Sequence, residues 1–198
     1  MKKVLLFSFI ILSLFGCSYP YYYNYTFRME RPVVSKELTY SDDNIEITYE
    51  LDDKLINFTI KNKTGTPLKI NWDDLAYIDP FGYAKRVVHS SVKIVNRFEP
   101  QATTVIPAFA KYKDFILPAE NIYFGEYLKD WIVLTLFPGE DKQIYYNKTF
   151  GVYFPILKGK DLLEYYFVFS IQKIEKVYYY TNPMSNLKPQ EEEGKFQE

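Results

Sequence analysis

The chain has very few of the side chains that carry metal, redox and nucleophilic chemistry. Its 198 residues include one cysteine, Cys17, and one histidine, His89. A disulfide needs two cysteines, and a zinc site needs three or four ligands that are mostly Cys or His. Eight glycines are scattered along the chain and form no phosphate-binding loop. The sequence therefore predicts no disulfide, no zinc site and no cofactor.

An excess of charge of either sign is also missing. The chain has 24 basic and 25 acidic residues and a net charge of −1. Loss of the N-terminal leader described next would remove Lys2 and Lys3 and change the net charge to −3. Proteins that bind nucleic acid present a basic surface to the phosphates. We therefore expect no nucleic-acid partner.

The N-terminus has the layout of a secretory signal peptide. Lys2 and Lys3 precede an apolar run over residues 4–15, and Gly16 then stands before Cys17. The run is shorter than the roughly 20 residues that a membrane-spanning helix needs. The Gly16-Cys17 junction resembles the lipobox of bacterial lipoproteins. The alternatives are an uncleaved anchor and plain secretion with a free thiol.

The lipobox resemblance implies that residues 1–16 are cleaved off and that Cys17 carries diacylglycerol on its sulfur. The membrane would then be a partner through this lipid, and the protein would belong to the cell envelope. In bacteria with two membranes, Ser18 is compatible with sorting to the outer membrane. An unpaired thiol in an oxidising compartment needs an explanation, and lipidation gives one.

Aromatic residues are abundant, and the alternation pattern predicts strands. The chain has 20 tyrosines and 16 phenylalanines, and aromatic residues suit a half-buried pleated surface. Apolar and polar residues alternate over 44–51, 56–61 and 68–72. The last two runs flank a break over 62–67 that contains glycine, so we expect them to form a β-hairpin.

A second turn is predicted by the sequence Asp79-Pro80-Phe81-Gly82, with strands over about 74–78 and 83–88. Val92 and Ile94 continue a β pattern. Between residues 99 and 130 the alternation fails and prolines recur, which predicts a long irregular segment. Residues 131–137 are apolar on both faces and predict a central strand.

The second half ends in two further alternating runs. They include Phe150, Val152, Phe154 and Ile156 in one strand, and Leu163 to Ile171 in the last. About eight antiparallel strands without a long amphipathic helix predict a single all-β sandwich, immunoglobulin-like, with a closed β-barrel as the alternative. Trp72 is expected to fill the core between the sheets.

These patterns divide the chain into four parts. Residues 1–16 are the signal peptide, 17–32 a lipidated, tyrosine-rich tether, 33–180 the β-sandwich, and 181–198 a disordered acidic tail. The tyrosines in 19–25 suit a membrane–water boundary, although a flexible linker or an added edge strand would also explain them. Residues 178–180 are expected to extend the last strand.

Few residues are candidates for catalysis or metal binding. His89-Ser90-Ser91 is the one place where a hydrolytic triad is conceivable, but no G-x-S-x-G elbow is present, and a surface or turn histidine is the preferred interpretation. Three pairs of adjacent aspartates, at 42–43, 52–53 and 73–74, are interpreted as solvated turns. We therefore predict a protein with no metal site, no catalytic residue and no enzymatic activity.

Exposed tyrosines are the candidates for an interaction surface, apart from the lipidation site Cys17. An envelope protein or a glycan could stack on such rings. The candidate residues are Tyr21, Tyr22, Tyr23, Tyr112, Tyr123 and Tyr127.

Three stretches of the chain resemble a group of uncharacterised bacterial lipoproteins. They are INFTIKNKTGTPLKINWDD, YIDPFGYAKRVVHS and KTFGVYFPILKGKDLLEYYFVFSI, between residues 55 and 171. The resemblance is a pattern of strands and turns, and it implies a β-sandwich on a lipid tether. It implies no activity, and Cys17 is the functional residue that it carries over.

The leading functional hypothesis is a non-enzymatic lipoprotein that presents its β-sandwich for protein contacts in the cell envelope, with an unidentified partner and oligomeric state. The alternative is a module that binds a glycan or a hydrophobic ligand through aromatics and the irregular segment over 100–130. A third hypothesis, an envelope hydrolase, needs two carboxylates that face one cleft.

Overall fold

The computed structural model describes residues 20–178. Cys17, the predicted signal peptide over 1–16, the continuation of the last strand at Tyr179 and Tyr180, and the predicted tail over 181–198 lie outside the described residues. The chain divides into two compact units, and the larger comprises residues Tyr25–Ile174. Within residues 20–178, no helix has the length and hydropathy needed to span a membrane.

Thirteen strands and four short 3-10 helices make up the described chain. The strands are β1 (Tyr21–Arg31), β2 (Thr39–Ser41), β3 (Ile45–Leu51), β4 (Ile56–Asn62), β5 (Leu68–Ile70), β6 (Ala76–Ile78), β7 (Ala84–Val88), β8 (Thr104–Ile106), β9 (Lys111–Pro118), β10 (Ile122–Gly125), β11 (Asp130–Val133), β12 (Thr149–Lys158) and β13 (Asp161–Tyr178). The 3-10 helices are Trp72–Asp74, Ile94–Asn96, Ala119–Asn121 and Lys142–Tyr145. The all-β prediction is confirmed.

Eleven strands form one hydrogen-bonded sheet in the order β1-β13-β12-β6-β7-β9-β4-β3-β2, with β5 paired to β12 and to β8. The sheet folds over on itself, so β3, β4 and β9 face β12 and β13 across the core. Strand β7 joins the two layers because it pairs with β6 in one and, through Val87 and Val88, with β9 in the other. The result is a β-sandwich with one connected edge. Strands β10 and β11 form a separate two-stranded sheet.

Aromatic side chains from both layers fill the core. Phe58 of β4 contacts Phe154 of β12 with ring centroids 5.3 Å apart, and Tyr49 of β3 contacts Phe167 of β13 at 5.0 Å. Each fully buried side chain of this size contributes about 1.5–3 kcal/mol. Trp72 is fully buried, as predicted, although it lies in a 3-10 helix and not in a strand.

The clearest alternating segments became strands where they were predicted. Strands β3 and β4 pair with each other, and β12 pairs with β13 across the turn at Gly159. The turn at residues 79–82 connects β6 to β7. In it, the Asp79 carboxylate accepts hydrogen bonds from the amides of Phe81 and Tyr83, and Gly82 has a φ of +88°.

The predicted hairpin over residues 56–72 is wrong. Strand β4 pairs with β3 and β9, whereas β5 crosses to the other layer and pairs with β12 and β8. Asn62 fixes this crossover, since its side-chain amide donates hydrogen bonds to the carbonyls of Thr66 and Pro107. The glycine-containing break at residues 62–67 predicts a hairpin turn, but it is a connection between layers.

Three other predictions from the middle of the chain are wrong. Val92 lies in a turn region and Ile94 begins a 3-10 helix, so neither continues a strand. The segment over 99–130 is not irregular, because β8, β9 and β10 lie in it. Residues 131–137 do not form a central strand, since β11 ends at Val133 and pairs only with β10.

The segment predicted as a tether over 17–32 contains strand β1, next to β13 at the end of the sheet. This placement matches the edge-strand alternative. The smaller unit includes the described residues 20–24 and 175–178. Within that unit, the rings of Tyr21 and Tyr178 meet edge to face at 6.0 Å, and Lys176 Nζ lies 3.7 Å from the Tyr21 ring centroid.

Candidate functional site

A buried histidine–aspartate pair lies where β7 and β9 meet. His89 follows β7 directly and Asp114 lies in the middle of β9. His89 Nδ1 is 3.0 Å from Asp114 Oδ2, and the His89 side chain is 3% exposed. His89 is thus not a surface histidine, although it does begin a turn, because the Val92 amide donates to its carbonyl at 3.1 Å. Its ring also stacks on the indole of Trp72, with centroids 3.9 Å apart.

Asp114 accepts further hydrogen bonds that hold it ionised. The Tyr112 hydroxyl donates to Oδ2, and the amides of Ser90 and Phe115 donate to Oδ1 at 3.0 and 2.7 Å. Burial would raise the pKa of Asp114, but the hydrogen bonds from His89, Tyr112 and the two amides outweigh it and lower the pKa to about 2. Burial and the bond to Asp114 raise the pKa of Tyr112 to about 12.

The ionised carboxylate determines which nitrogen of His89 carries a proton. A carboxylate can only accept hydrogen bonds, so Nδ1 is the donor. In a neutral imidazole the lone pair is then on Nε2. No hydrogen bond to Nε2 is made within residues 20–178, and the ring borders two cavities.

The first cavity is almost entirely apolar and has a volume of about 210 Å³. Its walls come from β7, β9, β10 and β11 and from the segment after His89. The lining residues are Leu55, Val88, His89, Val92, Ile94, Arg97, Phe115, Leu117, Ile122 and Val133. A dry apolar cavity of about 150 Å³ is large enough to bind benzene, so this one has room for a small ring or a short alkyl chain.

The second cavity, of about 310 Å³, has both polar and apolar walls and adjoins the first at His89 and Val92. Gln101 is one of its lining residues. The Gln101 amide nitrogen donates to the Val87 carbonyl at 2.7 Å, while its buried Oε1 has no hydrogen-bond partner within the described chain. Because this oxygen is also shielded from solvent, its missing hydrogen bond is unfavourable for stability.

An arginine and two aromatic rings flank the apolar cavity. The Arg97 guanidinium carbon lies 4.7 Å from the Phe98 ring centroid and 5.0 Å from that of Trp131. Trp131 in turn meets Phe124 edge to face at 5.5 Å. Phe98 is 56% exposed and Phe124 is 41% exposed, so this aromatic surface is open to solvent.

The tyrosines proposed from the sequence do not form one surface. Tyr123 and Tyr127 are exposed, on β10 and in the turn that follows it. Tyr112 is half-buried and serves as a partner of Asp114. Tyr21, Tyr22 and Tyr23 belong to the smaller unit, and Cys17 lies outside the described residues.

The aspartate pairs at 42–43 and 52–53 begin turns, as interpreted from the sequence. Asp42 Oδ1 accepts from the amides of Asn44 and Ile45, and Asp52 Oδ1 accepts from those of Lys54 and Leu55. Asp73 forms an ion pair with Arg86. In the described part of the chain, no group of three or more His, Cys, Asp or Glu residues is placed to hold a metal ion.

Sequence reasoning singled out His89 but missed Asp114 and Arg97. Asp114 shares a face of β9 with buried Ile116, so a carboxylate at a core-facing position was the available signal. No such signal exists for Arg97 in the sequence. One of its aromatic partners, Phe98, follows the 3-10 helix Ile94–Asn96, and the other, Trp131, lies in β11, 34 residues further along the chain.

Comparisons with known proteins add little to this description. No family model matches the chain, and no curated protein matches it. The X-ray structure of Northeast Structural Genomics Consortium target SoR45 aligns with 88% of this chain and 96% of its own, at 13% identity and a TM-score of 0.26.

Proposed function

We propose that this chain is a non-enzymatic, lipid-anchored protein of the bacterial cell envelope whose β-sandwich binds a small hydrophobic ligand. The observation that carries the proposal is the apolar cavity of about 210 Å³ between β7, β9 and the β10–β11 sheet. Known ligand sites are mostly apolar concavities with a few polar groups, and His89 and Arg97 are the polar groups here. The Gly16-Cys17 junction supports the other element of the proposal, the lipid anchor.

The cavity favours ligand binding over protein contacts as the leading hypothesis. Its walls include Phe115, Leu117 and Ile122, which lie in the segment over 100–130 that the sequence associated with a ligand. Three lining residues, Val88, Leu117 and Ile122, are at most 5% exposed, so the inner wall is well shielded from solvent. Binding of an apolar molecule against this shielded apolar wall removes apolar surface from water and is therefore favourable.

A titration with 1-octanol, followed by backbone amide NMR shifts and by calorimetry, tests the proposal. We expect saturable binding, with the largest shifts at Val88, Leu117 and Ile122. Val133→Phe places a ring in the cavity and should abolish binding. Val105→Phe, the same substitution at a 52% exposed site on β8, should leave it unchanged. Absence of saturable binding to the wild-type protein would contradict the proposal.

Docking of an envelope protein remains a second candidate because of the β10–β11 sheet. Its connecting turn exposes 97% of Tyr127 and 65% of Leu128, next to exposed Tyr123 and Phe124. Tyr127 and Leu128 are neighbours in this turn, and exposed apolar side chains that lie together are typical of interaction sites. Crosslinking in cells from position 127 would capture a defined envelope protein if this surface is used, and Tyr83, which is 70% exposed on another turn, is the matched control position.

A further inference from the structure

We infer that the ligand of the apolar cavity is an anionic amphiphile, with its alkyl chain in the cavity and its carboxylate or phosphate on Arg97. This inference rests on the proposed function and specifies the ligand class. It starts from the environment of Arg97, a cation in the wall of an otherwise apolar cavity.

The position of Arg97 marks the entrance of the cavity. Val88, Leu117 and Ile122 are buried and form its inner end. Ile94 is 37% exposed and Arg97 is partly exposed, so these two residues lie at the solvent side. A bound amphiphile would therefore enter with its apolar end first and leave its polar head beside Arg97.

Arg97 is held in place but is not neutralised. Phe98 and Trp131 pack on its guanidinium at 4.7 and 5.0 Å, which fixes the plane of the group. None of the ion pairs formed within residues 20–178 includes Arg97. The described chain therefore supplies two aromatic supports for this cation and no counter-ion.

The hydrogen-bonding groups of Arg97 are also largely unused. Its Nη1 donates to the Ile94 carbonyl at 3.3 Å, and its buried Nε has no partner in the described part of the chain. A guanidinium carries five N–H donors in a fixed plane that matches a carboxylate or a phosphate. An anionic head beside the guanidinium would supply the missing charge and acceptors for the unused donors of the two Nη nitrogens.

The nearby charges agree with an anionic head. Lys93 lies four residues before Arg97 and lines the adjoining second cavity, which adds a second positive charge on this side. Glu99 is the carboxylate among the residues that line the two cavities. Among the residues that line the two cavities, two are thus basic and one is acidic, while ionised Asp114 lies behind His89.

Three eight-carbon probes test the inference: octanoate, octyl phosphate and neutral 1-octanol, each measured by calorimetry at pH 7. We expect at least one anionic probe to bind about tenfold or more tightly than 1-octanol, as a charged hydrogen bond would predict. The better anion identifies a fatty acid or a phosphate-headed lipid as the source. Added salt should weaken binding of the anion and leave 1-octanol unchanged.

Arg97→Gln removes the charge and should reduce the affinity for the anion about tenfold, while 1-octanol binds within about twofold of the wild type. Arg97→Lys keeps the charge but lacks the planar guanidinium, so its affinity for the anion should lie between those of the wild type and Arg97→Gln. Lys113→Gln, on an exposed cation of β9, is the matched control and should change nothing. Retained binding of 1-octanol shows that the variant has kept its folded cavity.

The outcomes separate the two proposals. If 1-octanol and the anions bind equally, or if Arg97→Gln weakens all three probes alike, the anionic ligand is contradicted and the hydrophobic site stands. If no probe binds to the wild-type protein, both proposals fail.

Discussion

The rings of His89 and Trp72 lie parallel, with centroids 3.9 Å apart and an angle of 3° between their planes. Trp72 Nε1 donates to Thr104 Oγ1 at 2.8 Å, and His89 Nδ1 pairs with Asp114. The stack therefore connects β8 with β9 through side chains alone. Its loss should affect stability more than any single surface contact.

Asp114→Asn should destabilise the protein by about 3 kcal/mol, because an amide NH2 at this place cannot accept the hydrogen bonds that His89 Nδ1 and the Tyr112 hydroxyl donate to Oδ2, and buried donors without an acceptor are costly. The free energy of unfolding from urea titration at pH 7 is the measurement. Asp161→Asn makes the same change at the exposed first residue of β13 and should have little effect. Equal stability of the two variants would show that the His89–Asp114 pair contributes nothing.

Acid should destabilise the wild-type protein through Asp114. The folded-state pKa of Asp114 is lowered to about 2, because hydrogen bonds outweigh the effect of burial, whereas an unfolded aspartate has a pKa of about 3.9. The contribution of about 2–3 kcal/mol is complete above about pH 5 and is lost as the pH falls towards 2. Urea titrations from pH 6 to pH 2 should show this loss in the wild type and not in Asp114→Asn.

The two tryptophans should differ in their importance for stability. Trp72→Ala should cost about 3–5 kcal/mol, because it opens a cavity in the core and leaves His89 without its stacked ring. Trp131→Ala, in the two-stranded sheet, should cost about 1 kcal/mol. Thermal and urea denaturation of both variants measure the difference, and a larger loss for Trp131→Ala would contradict the assignment of the core.

Two glycines provide a matched test of backbone conformation. Gly82 has a φ of +88° in the turn after Pro80, so Gly82→Ala should cost about 1–2 kcal/mol, although a Cβ would meet nothing within 4 Å. Gly65 lacks a positive φ and its Cβ would only touch Phe109 at 3.9 Å, so Gly65→Ala should be neutral or slightly stabilising. Urea denaturation compares the two.

Lipid anchoring predicts a clear phenotype for Cys17→Ser. The wild-type protein should fractionate with membranes and its mature N-terminus should carry diacylglycerol, whereas the variant should lose the lipid and leave the membrane fraction. Mass spectrometry of the purified N-terminus measures the modification directly. Ser18→Ala is the control and should remain lipidated. An unmodified thiol or an intact Met1 in the wild type would contradict the prediction.

Local alternation predicted the strands well where one face is apolar and the other polar, as in β3 and β13. The alternation did not predict β9, because the core-facing position 114 is an aspartate where the pattern requires an apolar residue. Asp114 is the partner of His89 in the candidate site. The alternation also misjudged residues 131–137, since Trp131 and Val133 pack on one small cluster while Leu136 and Phe137 belong to the main core. A segment whose residues pack into two different hydrophobic clusters can therefore be apolar throughout without forming a central strand of a sheet.

The strand pairing and the site could not be predicted from local patterns. Strand β5 pairs with β12, which begins about 80 residues later, and only the complete fold brings the two together. His89 and Asp114 are 25 residues apart, and the 34 residues between Arg97 and Trp131 give no periodic signal. The residues of this site come together only through the order in which the strands pair in the complete sheet.

The junction between β7 and β9 has a mechanical consequence. It joins the two layers through the pairs Val87–Pro118 and Val88–Leu117, and Pro118 has no amide hydrogen to donate. Val88 and Leu117 are also walls of the apolar cavity. One of the two residue pairs that join the layers beside this cavity therefore lacks an amide donor. The hydrogen–deuterium exchange of the Val88 amide will report how often the junction opens and whether an occupant of the cavity slows the opening.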